Sequence, residues 1–355
     1  MELDDPCMPD KPIQAKNYFL ACYLVSLVQG ETILGGTIRS RTLRHYLSDA
    51  IKLFDARNSK VYHYDITNFI DIIIHTVSKY EKQPNRRNMI SDSMMLWLLK
   101  KAKKADIDSD IAATVDWIIL GRYAGFRRSE WSQSNQTKFE TIDHWPGQPP
   151  KAMIFSDFSF LGQHEDIIGI TIISSITGIK HLTLRWRFQK NGQNGEEITF
   201  ARNDANPNLC PVRAALRICQ RAIRLQVPRD EPIGVFSKKG TRRFITDNIT
   251  TKVLRSAAST VIGLKQTDPR LTKWSSHSIR VTAANLLHRA KMVDSYIQKR
   301  LRWRSNTFLD YLRNTIYAAD QHSAAMDIPD SNLPPVAERV YREDEPHEQV
   351  LPAKM

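Results

Sequence analysis

The sequence predicts a mainly α protein carrying a small antiparallel β-sheet, an α+β chain in two folded parts. Three observations lead there. Apolar residues recur at helical spacing over residues 13–28, 37–54 and 66–80, with no strand-like alternation before about residue 150. Between residues 151 and 200 the period shortens to two, and from Pro211 onward helical spacing returns. With 355 residues, 41% hydrophobic and 25% charged, the chain is long enough to bury a core in each of two domains.

Taken in order, the second of the early helices has a core stripe of Leu43, Leu47, Ala50 and Phe54. Arg39, Arg41, Arg44, His45 and Lys52 lie mostly off that stripe and form a basic face, suited to a DNA backbone or simply to solvent. The stretch "YEKQPNRRNMISDS" is polar, contains a proline and has no apolar period, so it separates a first domain, 1–82, from a second, 91–325, through a linker at 83–90. The next helix opens on Ser91 or Asp92 as its cap and ends in lysines that include Lys100 and Lys101, the order a helix dipole favours. A following helix, 111–123, breaks at Gly125 and runs straight into "FRRSEW". Further on, Leu182, Leu184, Trp186 and Phe188 alternate with Thr183, Arg185, Arg187 and Gln189, a half-buried strand. The two Asn-Gly pairs of "KNGQNGEE" and the apolar "ITFA" complete a hairpin whose tip lies at 191–195 and whose mouth carries Lys190. Helices resume at Pro211, a favoured first position, and at 249–262, with Gly263 as a stop. Residues 326–355 are rich in proline and acid and read as a disordered tail.

Charge narrows the class of partner. Lys and Arg number 51 against 38 Asp and Glu, a formal +13, and the 326–355 tail alone holds seven acids against three bases, leaving +17 on the rest. A surplus of that size on a folded body suits a polyanion, because each phosphate neutralised by Lys or Arg releases counterions. No apolar run approaches the twenty or so residues of a membrane span, and the N-terminus is acidic where an export signal is basic. The expected setting is therefore intracellular, the nucleus in a eukaryote and the cytoplasm otherwise. The four cysteines are scattered, which indicates neither a disulfide framework nor a zinc site.

The chemistry-bearing fragments lie late in the chain. In "WSSHSIRVTAANLLHRA" His277 and Arg280 are three apart on a helix expected to be capped by Ser275 or Ser276, so both project from one face. In "GFRRSE" Arg127 and Glu130 repeat that spacing after a glycine turn, with Arg128 as a rival to Arg127. Alone, the second pair is equally a surface ion pair worth under about 1 kcal/mol. "RLRWRSNTFLDY" then sets Trp303 between two arginines and follows it with Tyr311, preferred over Tyr296, which the apolar period of the preceding helix buries, and over Tyr317, too far from Trp303.

The order of these fragments resembles that of the tyrosine recombinases, the phage-integrase type of DNA breaking and rejoining enzymes. The pattern reads Arg127, Glu130, Lys190, His277, Arg280, Trp303 and Tyr311, over roughly residues 90–320. The 23-residue step from Arg280 to Trp303 is the family's usual one, and the 8-residue step from Trp303 to Tyr311 is similar to that in recombinases of eukaryotic mobile elements. The sequence departs from the family in the 63 residues between Arg127 and Lys190, with an insertion expected near 138–165, and Lys180, Lys238 and Lys239 are the alternative lysines.

The resemblance implies a helical core-binding domain and a catalytic domain forming a clamp around double-stranded DNA, four protomers acting on two duplexes through a Holliday junction, and no cofactor, metal or ATP. Arg39, Arg41, Arg44, Lys52, Arg86, Arg87, Lys100 and Lys101 are the expected backbone contacts. The residue types fit the implied chemistry. A phosphodiester under attack gathers charge on its non-bridging oxygens, which arginine forks bind. Ionising a phenol of ordinary pKa at neutral pH costs about 4 kcal/mol, so a neighbouring base such as His277 is needed. The resemblance implies Lys190 as the acid for the leaving 5′-oxygen. A catalytically silent DNA-binding relative and a type IB topoisomerase are the competing expectations, and a serine hydrolase is not indicated, since no G-x-S-x-G is present.

Overall fold

A computed structural model describes residues 10–30, 38–56, 63–81, 86–142, 147–164, 166–169, 178–189, 192 and 194–312. The side chains of residues 41, 55, 63–69, 306 and 307 are outside that description. The chain divides into two compact units, residues 1–85 and 86–355.

The first unit contains α1 (Ile13–Gln29), α2 (Ser40–Ala56) and α3 (His63–Tyr80). Leu20, Leu24 and Leu27 of α1, Leu43, Ile51 and Phe54 of α2, and Ile70 and Ile74 of α3 form one buried cluster, with Leu47 and Ala50 packed at its edge. The expected stripe of α2 is therefore its inner face.

The second unit holds α4 (Asp92–Lys104), α5 (Asp110–Ala124), four short strands, α6 (Pro211–Arg224), a second hairpin, α7 (Asp247–Ile262), α8 (His277–Arg289) and α9 (Asp294–Arg300). Serine side chains accept the first free N–H groups of α4 and α5, Ser91 from Met94 and Ser109 from Ala112. Helix α5 is buried on almost every side, which fits its central place against α4, α6, α7 and α8. The sheet runs β2 (Ile167–Ile168), β1 (Phe158–Leu161), β3 (His181–Trp186), β4 (Glu196–Ala201), antiparallel throughout. Its register puts Leu182 beside Phe160 and Phe200, and Leu184 beside Phe158 and Ile198, so one face of the sheet enters the core. A separate hairpin, β5 (Val235–Lys238) and β6 (Thr241–Phe244), packs against α5 and α6.

Two expectations change here. The segment expected as an insertion contributes Met153, Phe158 and Phe160 to the main core, and β1 is an interior strand of the sheet. Its length is thus structural over 153–161. Likewise residues 86–90, expected to end a linker, are pinned within the second unit. The Asn88 N–H donates to the Lys273 carbonyl (2.8 Å), Trp274 Nε1 donates to the Met89 carbonyl (3.2 Å), and Ile90 is buried. Residues 143–146 and the tail at 326–355 lie outside the described residues. No helix among the described residues is long and apolar enough to cross a membrane.

Candidate active site

The site begins where α5 stops. Gly125 takes the left-handed conformation (φ 57°), and a Cβ there would lie 2.6 Å from Leu301 Cδ2, so only glycine fits both demands. The chain reverses, buries Phe126, and enters a single 3₁₀ turn, Arg128–Glu130. That turn aims Glu130 back at Arg127. The Arg127 N–H donates to Glu130 Oε2 (2.9 Å) and its Nη1 to Oε1 (3.2 Å), while Arg127 Nη2 donates to the Arg302 carbonyl (3.0 Å). Glu130 is buried, which raises this pair above the surface ion pair that the spacing alone allows.

Glu130 has two further donors that the sequence does not announce. Trp186 Nε1 reaches Oε2 at 3.3 Å and Arg302 Nη2 reaches the same oxygen at 2.9 Å. Arg302 is fully enclosed: its guanidinium lies 3.8 Å over the Trp186 ring and Nη1 donates to the Ala124 carbonyl (2.9 Å). Its backbone is left-handed, φ 57°, just past the end of α9, a position where a non-glycine residue costs about 1 kcal/mol. Burial pushes its guanidinium below the ordinary arginine range, with Glu130 opposing and Arg127 adding to the depression.

The second half of the site hangs on α8. Arg280 is 2% exposed, and its guanidinium donates to the carbonyls of Gly125 and of Leu301 (2.6 Å for the latter). Trp303 covers it, ring centroid 4.1 Å from Cζ. Burial first, then the like charges of Arg302 and Arg127, push Arg280 down to about 9, with Glu130 and Tyr311 opposing. Arg280 thus sits behind Trp303, whereas Arg127 keeps part of its side chain in solvent. The expected serine cap is absent: Ser276 is helical and donates its hydroxyl to Asp247 of α7, and the Ser275 N–H donates to Ser278 Oγ. His277, the first residue of α8, is exposed.

Tyr311 ends a 3₁₀ segment, Asn306–Tyr311. Its ring centroid is 5.1 Å from that of His277 and 5.0 Å from that of Trp303. The segment is anchored by Phe308, buried with Ala283, Ala284, Ile297 and Leu301, its ring tilted against that of Trp303 at 6.0 Å between centroids. Asn285 of α8 donates Nδ2 to the Tyr311 carbonyl at 2.8 Å. His277, Tyr311, Trp303 and Arg280 therefore form a continuous run of ring and cation contacts, and Arg280 and Arg127 donate to the consecutive Leu301 and Arg302 carbonyls.

Of the remaining expected residues, Lys190 lies outside the described residues, as does the side chain of Arg41. Gln189, immediately before Lys190, accepts from Arg127 Nη1 at 3.5 Å, so the described end of that hairpin borders the site. Lys180 is at the opposite end of β3 from Trp186, about 20 Å away at ~3.4 Å per residue. Lys238 and Lys239 are exposed around the β5–β6 turn. Arg128 pairs with Glu140 (3.0 Å), away from the Glu130 carboxylate. Tyr296, expected to be buried, is 44% exposed, because the core contact of α9 is made by Ile297. Among the expected DNA contacts, Arg39, Lys100 and Lys101 are exposed; Arg44 pairs with Asp71, Lys52 with Asp49 and Arg86 with Asp310 at the surface. Arg87 instead donates to the Thr272 carbonyl. Among the described residues no group of three or more His, Cys, Asp or Glu is placed to hold a metal.

Sequence reasoning missed Arg302, Trp186, Gln189 and Asn285. Arg302 and Gln189 adjoin residues it chose, Trp303 and Lys190. Nothing in the sequence marks Asn285.

No protein-family model matches the chain, and no curated protein matches it in sequence. Among solved structures it is similar to the XerH site-specific recombinase bound to palindromic difH substrate in a post-cleavage complex. That match has a TM-score of 0.47 and 15% identity, over 90% of this chain and 72% of the other. It is also similar to the Tn1549 transposon integrase in complex with circular intermediate DNA (TM-score 0.40, 13% identity, 91% and 87% covered). A third is a lambda integrase dimer bound to a COC′ core site (TM-score 0.43, 14% identity, 88% and 83% covered).

Proposed function

We propose that this chain is a DNA strand-breaking and rejoining enzyme of the tyrosine recombinase type, with Tyr311 as its nucleophile. The observation that carries the reading is the placement of the Tyr311 ring against both His277 and Trp303, with Arg280 under Trp303 and with Arg280 and Arg127 donating to the consecutive Leu301 and Arg302 carbonyls. Residues far apart in sequence meet at one surface, in the order the resemblance requires.

In the proposed step Tyr311 Oη attacks the scissile phosphorus and its proton passes to His277. The bond from phosphorus to the 5′-oxygen breaks, and Lys190 supplies the proton that the leaving oxygen takes. The product is a 3′-phosphotyrosyl bond, which conserves the energy of the phosphodiester, so the 5′-hydroxyl of a partner strand reverses the step without ATP. Arg127, partly exposed and held at a fixed angle by Glu130, binds a non-bridging oxygen directly. Arg280 adds positive charge from beneath Trp303 and fixes the Gly125 and Leu301 carbonyls. The Trp303 ring holds Tyr311 over that charge. The basic face of α2 and the lysines at the end of α4 contact the DNA backbone. Four protomers exchange strands through a Holliday junction, with no metal in the chemistry.

The test is covalent trapping. Full-length protein incubated with nicked duplexes from the gene's own flanks, with EDTA present, is expected to give an SDS-resistant protein–DNA adduct, and Tyr311→Phe none. Equal adduct from Tyr311→Phe overturns the assignment, and an adduct that disappears with EDTA overturns the metal-independent step.

A further inference from the structure

Arg302 is a cation in an enclosed place, with a backbone conformation that glycine would adopt at no cost. Its position is explained by Glu130. One oxygen of that carboxylate, Oε2, accepts from the Arg127 N–H, Trp186 Nε1 and Arg302 Nη2, while the other, Oε1, accepts from Arg127 Nη1. Among the described residues Arg127 and Arg302 are the cations in contact with Glu130, so without Arg302 that contact would fall to Arg127. A buried carboxylate in that state draws its arginine inward and cancels its charge, at the side chain that has to face an anion. Arg302 also fixes Arg127 from the other side, because its carbonyl accepts from Arg127 Nη2.

We propose that Arg302 is a positioning residue whose guanidinium takes up the charge of Glu130, so that Glu130 braces Arg127 without neutralising it. Two features favour this over a packing role. The side chain is in direct contact with Glu130, at 2.9 Å, where an apolar residue would fill the same space over Trp186. The charge balance also singles it out: among the described residues Glu130 is in ion-pair contact with Arg127 and Arg302, Glu196 acts on Arg302 from farther off, and no carboxylate is in ion-pair contact with Arg280, so three cations against two carboxylates leave a positive surplus for an incoming phosphate. The inference rests on the proposed function, since strand cleavage is its first readout.

The experiment follows adduct formation by the full-length chain on the nicked flank duplexes for Arg302→Met, Glu130→Gln and the double variant. Arg302→Met is expected to slow the adduct at least about tenfold while duplex binding changes by less than about twofold, a loss confined to the step itself. Removing the charge of Glu130 should relieve that loss, so the double variant is expected to be no slower than Glu130→Gln alone. A double variant slowed by the product of the two single effects overturns the proposal, since independent sites combine in that way. Arg302→Lys keeps the charge and is expected within about threefold of the parent rate; a loss equal to that of Arg302→Met overturns the charge argument. A parent protein that forms no adduct would remove the proposed function, and the role of Arg302 is then read separately with inorganic phosphate. Phosphate is expected to raise the melting temperature of the parent and of Arg302→Lys, to lose that effect in Arg302→Met and to regain it in the double variant. Equal rises in the parent and Arg302→Met, or no rise in any of the four, overturn it.

Discussion

Two clusters of buried arginine and carboxylate lie in the second unit, and they are built on opposite plans. Between α5 and α6, Asp116 accepts from Arg217 (2.6 Å) and Arg221 (2.7 Å), and Asp108 accepts from Arg224 (2.6 Å). Three arginines there meet two carboxylates, and the surplus is carried by Arg217 and Arg224, each with 41% of its side chain in water. In the candidate site Arg127 and Arg302 pair with Glu130, Glu196 acts on Arg302 from farther off, and among the described residues no carboxylate is in ion-pair contact with Arg280, whose guanidinium is held by the Gly125 and Leu301 carbonyls; Arg280 and Arg302 are 2% and 1% exposed. The first arrangement is complete as it stands. The second keeps two of its three cations out of water and holds one of them, Arg280, on carbonyls instead of a carboxylate, an arrangement suited to an arriving anion.

The comparison can be broken most directly with one substitution in each cluster. Asp116→Ala leaves Arg221 buried without its carboxylate and should cost about 3–5 kcal/mol of stability in urea unfolding, with the adduct rate per folded molecule unchanged. Arg127→Ala should do the reverse, slowing the adduct by about 10²–10³-fold with a small change in the urea midpoint. Similar profiles for the two variants would remove the distinction. Next in size is Gly125→Ala, which forces a left-handed alanine against Leu301 and displaces the carbonyl that Arg280 uses. A loss of about 2 kcal/mol, together with a slower adduct, is expected, and a stable, fully active variant would show that the turn tolerates a side chain. A finer test is anion linkage. Inorganic phosphate at about ten times its dissociation constant should stabilise the parent by roughly 1.4 kcal/mol, and Asp116→Asn by the same increment, whereas Arg127→Ala should lose it. The smallest effect expected is that of Asn285→Ala, about 1 kcal/mol in stability with a several-fold slower adduct, through loss of its tie to Tyr311.

What the sequence disclosed of this design follows a physical rule. Local signals transferred well. The break after α5 at Gly125, the proline that opens α6, the glycine that ends α7 and the alternation of Leu182, Leu184 and Trp186 each depend on near neighbours, and each stands in the structure. The mainly helical fold with its small antiparallel sheet follows from those same periods. Pairings across long separations did not transfer. Arg302 meets Glu130 across most of the unit, and no period or spacing encodes that contact. The segment around β1 shows the same limit, since the period of two over 151–200 marks it as strand but does not disclose its pairing with β3. Tyr296 illustrates the opposite error: its apolar character reads as core, yet a turn geometry set elsewhere leaves the inner face of α9 to Ile297.

The hydrogen bond from Asn285 to Tyr311 is made to the main chain and not to the phenol. Position 311 is therefore a socket whose alignment does not depend on what fills it, and the neighbouring Phe308 anchor makes the same demand of any occupant. A cysteine or an unnatural phenol of altered acidity installed there would be presented to His277 and Trp303 at the same place on the surface. The nucleophile's intrinsic reactivity could then be graded along a series of side chains while its location stays constant.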